Sequence, residues 1–145
     1  MQNVITREIT VKANAQQVYK AITDPEQIIK WFPDEVEGSL KVGQQAIFTF
    51  NGHGESSMLV VDAKPFEYFA YRWIPGSANR VDDLTTVQTT LVEFRLADLG
   101  TGTKVTLTES GFASLPAEMA EKSFTENLGG WGYMMSRLEK LMSQE

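Results

Sequence analysis

The chain has 145 residues, a formal net charge of −6 and no cysteine. The length suits one domain over residues 1–145, and the absence of cysteine excludes disulfides, thiolate metal sites and thiol catalysis. Because the charge is negative and Lys and Arg are scattered, nucleic acid is excluded as an expected partner. The N-terminus lacks a basic start followed by an apolar run, and no segment has the length of a membrane span, so we expect a soluble, cytoplasmic protein.

The first forty residues predict one strand followed by two short helices. Apolar and polar side chains alternate between residues 5 and 11, which is typical of a half-buried strand. Asn14 is a good N-cap, and Gln17 three residues later completes a capping box. Asp24, followed by proline, starts a second short helix that carries Trp31 and Phe32 and stops at Pro33.

The middle of the chain, from Gly38 to Phe112, predicts antiparallel strands separated by turns. Candidate strands cover residues 45–50, 56–63, 68–74, 86–96 and 103–109. Glycine-rich turns at 51–54 and 100–102 join two pairs of these strands. Residues 75–83 form the one long polar connection, and we expect this segment to be mobile.

The last thirty residues predict one long amphipathic helix from Pro116 to Met142. Apolar side chains recur there at steps of four and three: Phe124, Leu128, Trp131, Met135, Leu138 and Met142. At about 1.5 Å per residue this helix is roughly 40 Å long and crosses a small domain. The sheet offers the one apolar surface large enough to cover it, so the sequence predicts an α+β fold with a curved antiparallel sheet around a long C-terminal helix. A concave space between the two would suit a small ligand.

Three glycines interrupt this helix, at positions 129, 130 and 132. Each costs about 1 kcal/mol relative to alanine in a helix interior, so some other interaction must offset them. They either let the helix kink or let the sheet, a ligand or a second subunit approach its backbone. We favour close approach beside Trp131.

Several segments, taken in order, resemble one known family. The opening is Val11-Lys12-Ala13, residues 18–26 (VYKAITDPE) and Trp31-Phe32; the middle is Asp62-Ala63-Lys64-Pro65 and Tyr71-Arg72-Trp73; the end is residues 101–112 (TGTKVTLTESGF), Asn127, Gly130-Trp131 and Leu138. This pattern resembles the domain named after the activator of the ninety-kilodalton heat-shock protein's ATPase, and it spans nearly the whole chain. The resemblance is specific for the fold and not for an activity.

The resemblance implies membership of the START-like, helix-grip (SRPBCC) group. Such domains imply a deep pocket beneath the C-terminal helix that takes apolar or amphipathic small molecules. The eukaryotic co-chaperone of this family carries a further N-terminal domain, for which we expect no room in this chain.

Large aromatic and sulfur-bearing side chains are the candidate pocket lining, because flat rings and flexible methionines can surround an apolar guest. They are Trp31, Phe32, Phe48, Met58, Phe69, Tyr71, Trp73, Phe94, Phe124, Leu128, Trp131 and Met135. The alternative for each is ordinary core packing. Phe69, Tyr71 and Trp73 share a strand face that we expect to look at the helix.

Charged residues within the strands are candidates for polar pocket contacts. Arg72, Glu93, Arg95 and Glu109 interrupt the apolar alternation, and any that face the cavity must be paired or hold a polar ligand group. We single out Arg72 and Glu109. The alternative is that they point outward from the sheet.

Metal, cofactor and hydrolase chemistry find no support in the sequence. The single histidine, His53, lies between two glycines at a turn tip, which indicates an exposed loop, and the chain contains no Gly-x-Ser-x-Gly elbow. The carboxylates at 34, 35 and 37 and at 82 and 83 lack the spacing of a calcium loop and read as solvated surface. We expect no catalytic residue, no metal and no cofactor.

Three functions remain open from the sequence. The leading one is binding of a small apolar or amphipathic molecule beneath the C-terminal helix. The second is a protein-interaction module that docks on a chaperone or forms a homodimer, with Ile74 and the adjoining loop as a candidate edge. The third is an enzyme of the cyclase or isomerase sort, in which Glu109 or Tyr71 moves a proton.

Overall fold

The computed structural model describes residues 3–75 and 80–143. Strand β1 (Val4–Val11) is followed by helices α1 (Ala15–Thr23) and α2 (Pro25–Ile28). Six strands come next: β2 (Glu35–Gly38), β3 (Gln45–Phe50), β4 (Gly54–Lys64), β5 (Tyr68–Trp73), β6 (Thr90–Asp98) and β7 (Thr103–Ser110). Helix α3 (Ala117–Met142) ends the fold. The predicted α+β class, a curved antiparallel sheet against one long C-terminal helix, is confirmed.

One seven-stranded antiparallel sheet forms the scaffold, in the spatial order β1-β7-β6-β5-β4-β3-β2. Trp73 on β5 pairs with Thr90 on β6, and Val92 on β6 pairs with Glu109 on β7. Since side chains on one strand alternate between faces, Thr90 and Val92 point to the same side. The register therefore brings Trp73, Thr90 and Glu109 together on the face that α3 covers.

The two short helices begin as their sequence predicts. The Asn14 side chain accepts from the Gln17 backbone N–H at 2.8 Å, and the Gln17 side chain accepts from the Asn14 N–H at 3.1 Å, which is a complete capping box. Asp24 caps α2 by accepting from the Glu26 N–H at 3.0 Å. Helix α2 ends at Ile28, so Trp31 and Phe32 lie in the turn that follows it and not within the helix.

Helix α3 starts one residue after the prediction, with Pro116 as its N-cap, and ends at Met142. Its apolar stripe packs on the sheet, with Trp131 and Leu138 among the buried residues. A long-range hydrogen bond ties it to the first strand, because Arg7 Nη2 donates to the Leu128 carbonyl oxygen at 2.7 Å. No helix among the described residues is long and apolar enough to cross a membrane.

Two parts of the chain differ from the sequence-based expectation. Strand β2 was not predicted, since its four residues (EVEG) hold one apolar side chain and lie at the sheet edge. Strand β6 begins at Thr90, because Leu84–Thr86 form a 3-10 turn capped by Asp83. Of the segment expected to be mobile, residues 76–79 lie outside the described residues. Arg80 in its described part pairs with carboxylates of β2 and β4, Glu37 at 3.1 Å and Glu55 at 2.7 Å.

Gly102 allows the β6–β7 turn to approach the backbone at the end of β1 closely. A Cβ at this position would lie 2.1 Å from the Val11 carbonyl oxygen, which is backbone and cannot swing away. We expect Gly102→Ala to lower the free energy of unfolding by about 1–3 kcal/mol through overpacking. Urea denaturation followed by circular dichroism measures this.

The matched control is Gly129→Ala on α3, where a Cβ meets nothing within 4 Å. Alanine is the better helix former, so this variant should gain up to about 1 kcal/mol. Equal stabilities for the two variants would contradict the close approach at Gly102.

Candidate ligand-binding cleft

A cleft of about 600 Å³ opens between α3 and the end of the sheet formed by β3, β4 and β5. Its walls combine aromatic, small and polar side chains: Phe32, Phe50, His53, Gly54, Ser56, Trp73, Glu126, Asn127, Gly130, Trp131 and Met134. This volume is within the usual range for small-molecule sites, which is about 300–1,000 Å³.

Three aromatic rings form the floor of the cleft: Phe32, Trp73 and Trp131. Their centroids lie 5.0 Å (Phe32 to Trp131), 5.9 Å (Phe32 to Trp73) and 6.0 Å (Trp73 to Trp131) apart. The ring planes are tilted by 36°, 55° and 35° in the same order, so the rings pack obliquely against one another. Each ring is nearly buried, at 5%, 7% and 3% exposure, and each still contributes to the cleft surface.

The rim of the cleft is polar and comes from two elements. His53 belongs to the turn between β3 and β4, and Gly54 and Ser56 follow on β4. Glu126 and Asn127 come from the middle of α3. An apolar floor beneath a polar rim is the arrangement expected for an amphipathic guest.

Behind the floor lies a fully buried carboxylate, Glu109, at 0% exposure. Its Oε1 accepts from Trp131 Nε1 at 2.7 Å and from Asn127 Nδ2 at 2.8 Å. Its Oε2 accepts from Thr90 Oγ1 at 2.6 Å and from Trp73 Nε1 at 2.9 Å. A carboxylate offers about four acceptor positions, so these four donors occupy its whole capacity.

Strand alternation explains why Glu109 points inward. Along β7 the residues Thr103, Val105, Leu107 and Glu109 are buried, and those between them are less so. Two of the four donors to Glu109 are indole N–H groups, which can only donate and would be costly to bury without an acceptor. The carboxylate therefore fixes the orientation of Trp73, Trp131 and Asn127, all of which line the cleft.

Tyr71 lies near Glu109 but is not part of the cleft surface. Its ring packs edge-on against Trp73, with centroids 5.3 Å apart. Its hydroxyl is buried without a hydrogen-bond partner among the described residues. Burial, and next the negative charge of Glu109, raise the pKa of the Tyr71 hydroxyl well above its ordinary value.

The structure separates the residues predicted to line a pocket into two groups. Phe32, Trp73 and Trp131 line the cleft. The others lie in the core or pack against it: Trp31, Phe48, Met58, Phe69, Tyr71, Phe94, Phe124, Leu128 and Met135. Trp31 illustrates this, since its Nε1 donates to the Ala21 carbonyl oxygen at 2.9 Å in the interior. The cleft therefore lies beside the middle of α3, where residues 126–134 contribute to its lining.

The two predicted polar contacts, Arg72 and Glu109, lie on opposite sides of the sheet. Arg72 is exposed on the opposite face of β5, with Nη1 at 3.5 Å from Thr89 Oγ1, and so does not reach the cleft. Glu109 faces inward but contacts the cleft-lining side chains from behind. Glu93 and Arg95 pair with each other at 2.9 Å outside the core, and Tyr68 donates a hydrogen bond to Glu93.

Sequence reasoning missed most of the rim. A second stripe on α3 was detectable beside the buried one, because steps of three, one and three place residues on one helix face. It consists of Asn127, Gly130 and Met134 together with the predicted Trp131. His53 is exposed at its turn tip as expected, yet the turn folds toward α3, which no local pattern encodes.

Close approach of the sheet does not account for the helix glycines, and approach of a ligand or a second subunit stays a prediction. A Cβ at Gly129 or Gly130 would meet nothing within 4 Å, and one at Gly132 would lie 3.7 Å from Arg7 Nε, an ordinary contact. No described neighbour therefore requires glycine at these positions. Gly130 lies in the cleft wall, where a side chain would project into the open volume.

The described residues contain no group of three His, Cys, Asp or Glu side chains able to hold a metal ion. The acidic residues near β2 serve other roles: the Asp34 carboxylate accepts from the Asn51 N–H at 2.7 Å, and Glu37 pairs with Arg80. Asp83 accepts hydrogen bonds from Thr85, which lower the pKa of its carboxyl group.

Comparison with known proteins identifies the family. The sequence profile of the Activator of Hsp90 ATPase homolog 1-like proteins matches residues 12–143. The chain belongs to this family. The resemblance carried by the sequence motifs is thus confirmed, and the family gives the fold and not a particular reaction. Among curated proteins, the comparison found no match.

Several solved structures share the fold at low sequence identity. Protein MLL2253 from Mesorhizobium loti has a TM-score of 0.77 and 20% identity, over 95% of each chain. The Aha1 dimer from Colwellia psychrerythraea has a TM-score of 0.76 and 21% identity, over 98% of this chain and 97% of that one. DynU16, from the dynemicin biosynthetic locus, has a TM-score of 0.74 and 19% identity, over 97% of this chain and 47% of that one.

The buried carboxylate makes a direct prediction about stability. In Glu109→Gln one oxygen becomes an amide that donates, so at least one of the indole or amide donors loses its acceptor. We expect the free energy of unfolding to fall by at least about 2 kcal/mol. Urea denaturation monitored by tryptophan fluorescence measures it.

Glu126→Gln is the matched control, because it makes the same chemical change at an exposed position of the rim. Its stability should stay close to that of the parent protein. If Glu109→Gln were equally harmless, the four-donor network would not hold the site together.

Proposed function

We propose that the protein binds a small apolar or amphipathic molecule in the cleft between the sheet and α3. The observation that carries the proposal is the open volume of about 600 Å³ above a floor of three aromatic rings, rimmed by polar side chains. The floor supplies apolar contact area, and the rim offers Ser56 and Asn127 as hydrogen-bonding groups at its edge.

Preorganisation supports the same function. The indoles of Trp73 and Trp131 are held by hydrogen bonds to Glu109, so a guest would not have to order them. A solved structure of the same fold, DynU16, is described as a putative protein in the dynemicin biosynthetic locus. The biosynthetic locus of DynU16 agrees with a role for this fold in handling small molecules.

A fluorescent probe tests the proposal. N-phenyl-1-naphthylamine is apolar and fluoresces more strongly in a dry environment, and we expect saturable binding with one site per chain. Gly130→Leu places a side chain in the cleft wall and should weaken probe binding by about tenfold or more, since the leucine occupies the volume the probe needs.

Gly129→Leu is the control for that variant. It makes the same substitution one residue earlier, at a glycine that is equally open but does not line the cleft, and it should bind the probe as the parent does. Absence of saturable binding to the parent protein, or equal loss in both variants, would refute a ligand site at this cleft.

The cyclase or isomerase alternative has less support. Glu109 has its acceptor positions filled by four donors, so it has none free for a substrate proton. Tyr71 is fully buried and does not line the cleft. A proton-transfer group must reach the reacting atom within hydrogen-bond distance, and neither residue contributes to the lining of the cleft.

Tyr71→Phe tests the state of that hydroxyl. The substitution removes a buried polar atom with no partner among the described residues, so stability should be unchanged or should rise by about 1 kcal/mol. Thermal and urea unfolding measure the change. A clear loss of stability would mean that the hydroxyl is engaged, and the proton-transfer alternative would then regain weight.

The expected partners and location remain predictions. A homodimer is favoured by one specific observation, the dimeric state of the Colwellia protein of the same fold. In this chain the α3 face next to the cleft exposes Tyr133 at 62%, which could join such a contact. A chaperone partner stays the alternative prediction, and a cytoplasmic location stays a prediction from the sequence.

A further inference from the structure

We propose that the cleft selects planar aromatic molecules carrying a positive charge over the same ring systems carrying a carboxylate. The proposal rests on the small-molecule binding argued above and adds the chemical class of the ligand. It derives from the formal charges of the described residues around the cleft, which are negative in sum.

The charge nearest the floor is Glu109. Both floor indoles donate to it, Trp131 at 2.7 Å and Trp73 at 2.9 Å, so the carboxylate lies directly behind the wall that a ligand touches. Its other donors, Thr90 and Asn127, are neutral, and no ion pair of the described residues includes Glu109. A buried charge without a counterion is poorly screened by salt or water, so its field extends into the cleft.

The rim adds a second negative charge. Glu126 lines the cleft, and no lysine or arginine of residues 3–75 and 80–143 does. Lys122 Nζ lies 4.0 Å from Glu126 Oε1, but both side chains are largely exposed, and such pairs interact weakly. Glu55 next to the rim forms an ion pair with Arg80, whose Nη2 lies 2.7 Å from Glu55 Oε2. The protein as a whole carries −6, so its general field has the same sign.

The aromatic floor reinforces this preference. Aromatic rings attract cations through their negative faces, and tryptophan does so best. An indole whose N–H donates to a carboxylate gains electron density, which strengthens that attraction. The protein's own cation–π contacts among the described residues involve Tyr68 and Tyr133, so neither floor tryptophan is already occupied by a lysine or arginine.

An anionic amphiphile meets the opposite situation. Its carboxylate would approach Glu109 and Glu126 with no arginine or lysine in the described lining to receive it. Bringing like charges together in a partly dry site costs free energy that the apolar contacts must offset. Fatty acids and other carboxylate lipids are therefore disfavoured guests, and a ring bearing an amine is favoured.

The test is a displacement assay with a matched series on one ring system. N-phenyl-1-naphthylamine bound to the parent protein is displaced by 1-naphthylmethylamine, 1-naphthalenemethanol or 1-naphthaleneacetic acid at neutral pH, where the first is a cation and the last an anion. We expect the amine to displace the probe at a concentration about tenfold lower than the acid, with the alcohol between them.

Two rim variants and one control outside the cleft locate the effect. Glu126→Gln should bring the displacing concentrations of the amine and the acid severalfold closer together, because it removes the negative charge of the rim. Lys122→Gln, the control one helical turn away, should leave the ratio unchanged or widen it. His53→Gln removes the one lining side chain able to add positive charge and should preserve the order.

The outcomes separate this proposal from the one on which it rests. Saturable probe binding with equal displacement by all three compounds, or with the acid displacing best, would overturn the charge preference and leave ligand binding intact. Failure of the probe to bind the parent protein would overturn both. The predicted order, narrowed by Glu126→Gln and not by Lys122→Gln, would support the preference.

Discussion

The fold and its cleft depend on one buried carboxylate with four neutral donors. Glu109 collects hydrogen bonds from β5, β6 and α3, so a single side chain joins the sheet to the helix at the point where the cleft begins. A buried charge is costly unless its hydrogen bonds are complete, and here they are. This constraint holds two tryptophans in place, and their rings form the boundary between packed interior and open volume.

That boundary explains how one helix packed on a sheet can both form a hydrophobic core and line a cleft. Along most of α3 the aromatic and aliphatic side chains interlock into a dense core, of which Phe94 and Leu138 are examples. Near Asn127 and Gly130 the helix carries small or polar residues, and the packing stops. The result is a stable domain with a cleft beside the middle of α3, in which binding groups are oriented by the same contacts that stabilise the fold.

The fold could largely be predicted from the sequence, because its signals are local and periodic. The capping box at Asn14, the strand alternation and the stripe on α3 each follow from backbone geometry. The cleft was harder to predict, since aromatic residues in a core and in a wall obey the same periodicity. Glu109 was identifiable as an interruption of the pattern, but its partners come from three separate elements, and only the tertiary register brings them together.

The pairing of the first strand with the last has a consequence for how the protein acquires its shape. Arg7 and the Leu128 carbonyl that it contacts are 121 positions apart, and β1 is completed only by β7. Such distant pairings close large loops and slow the search for the native topology. During synthesis β1 therefore keeps both of its edges unpaired until β7 has left the ribosome.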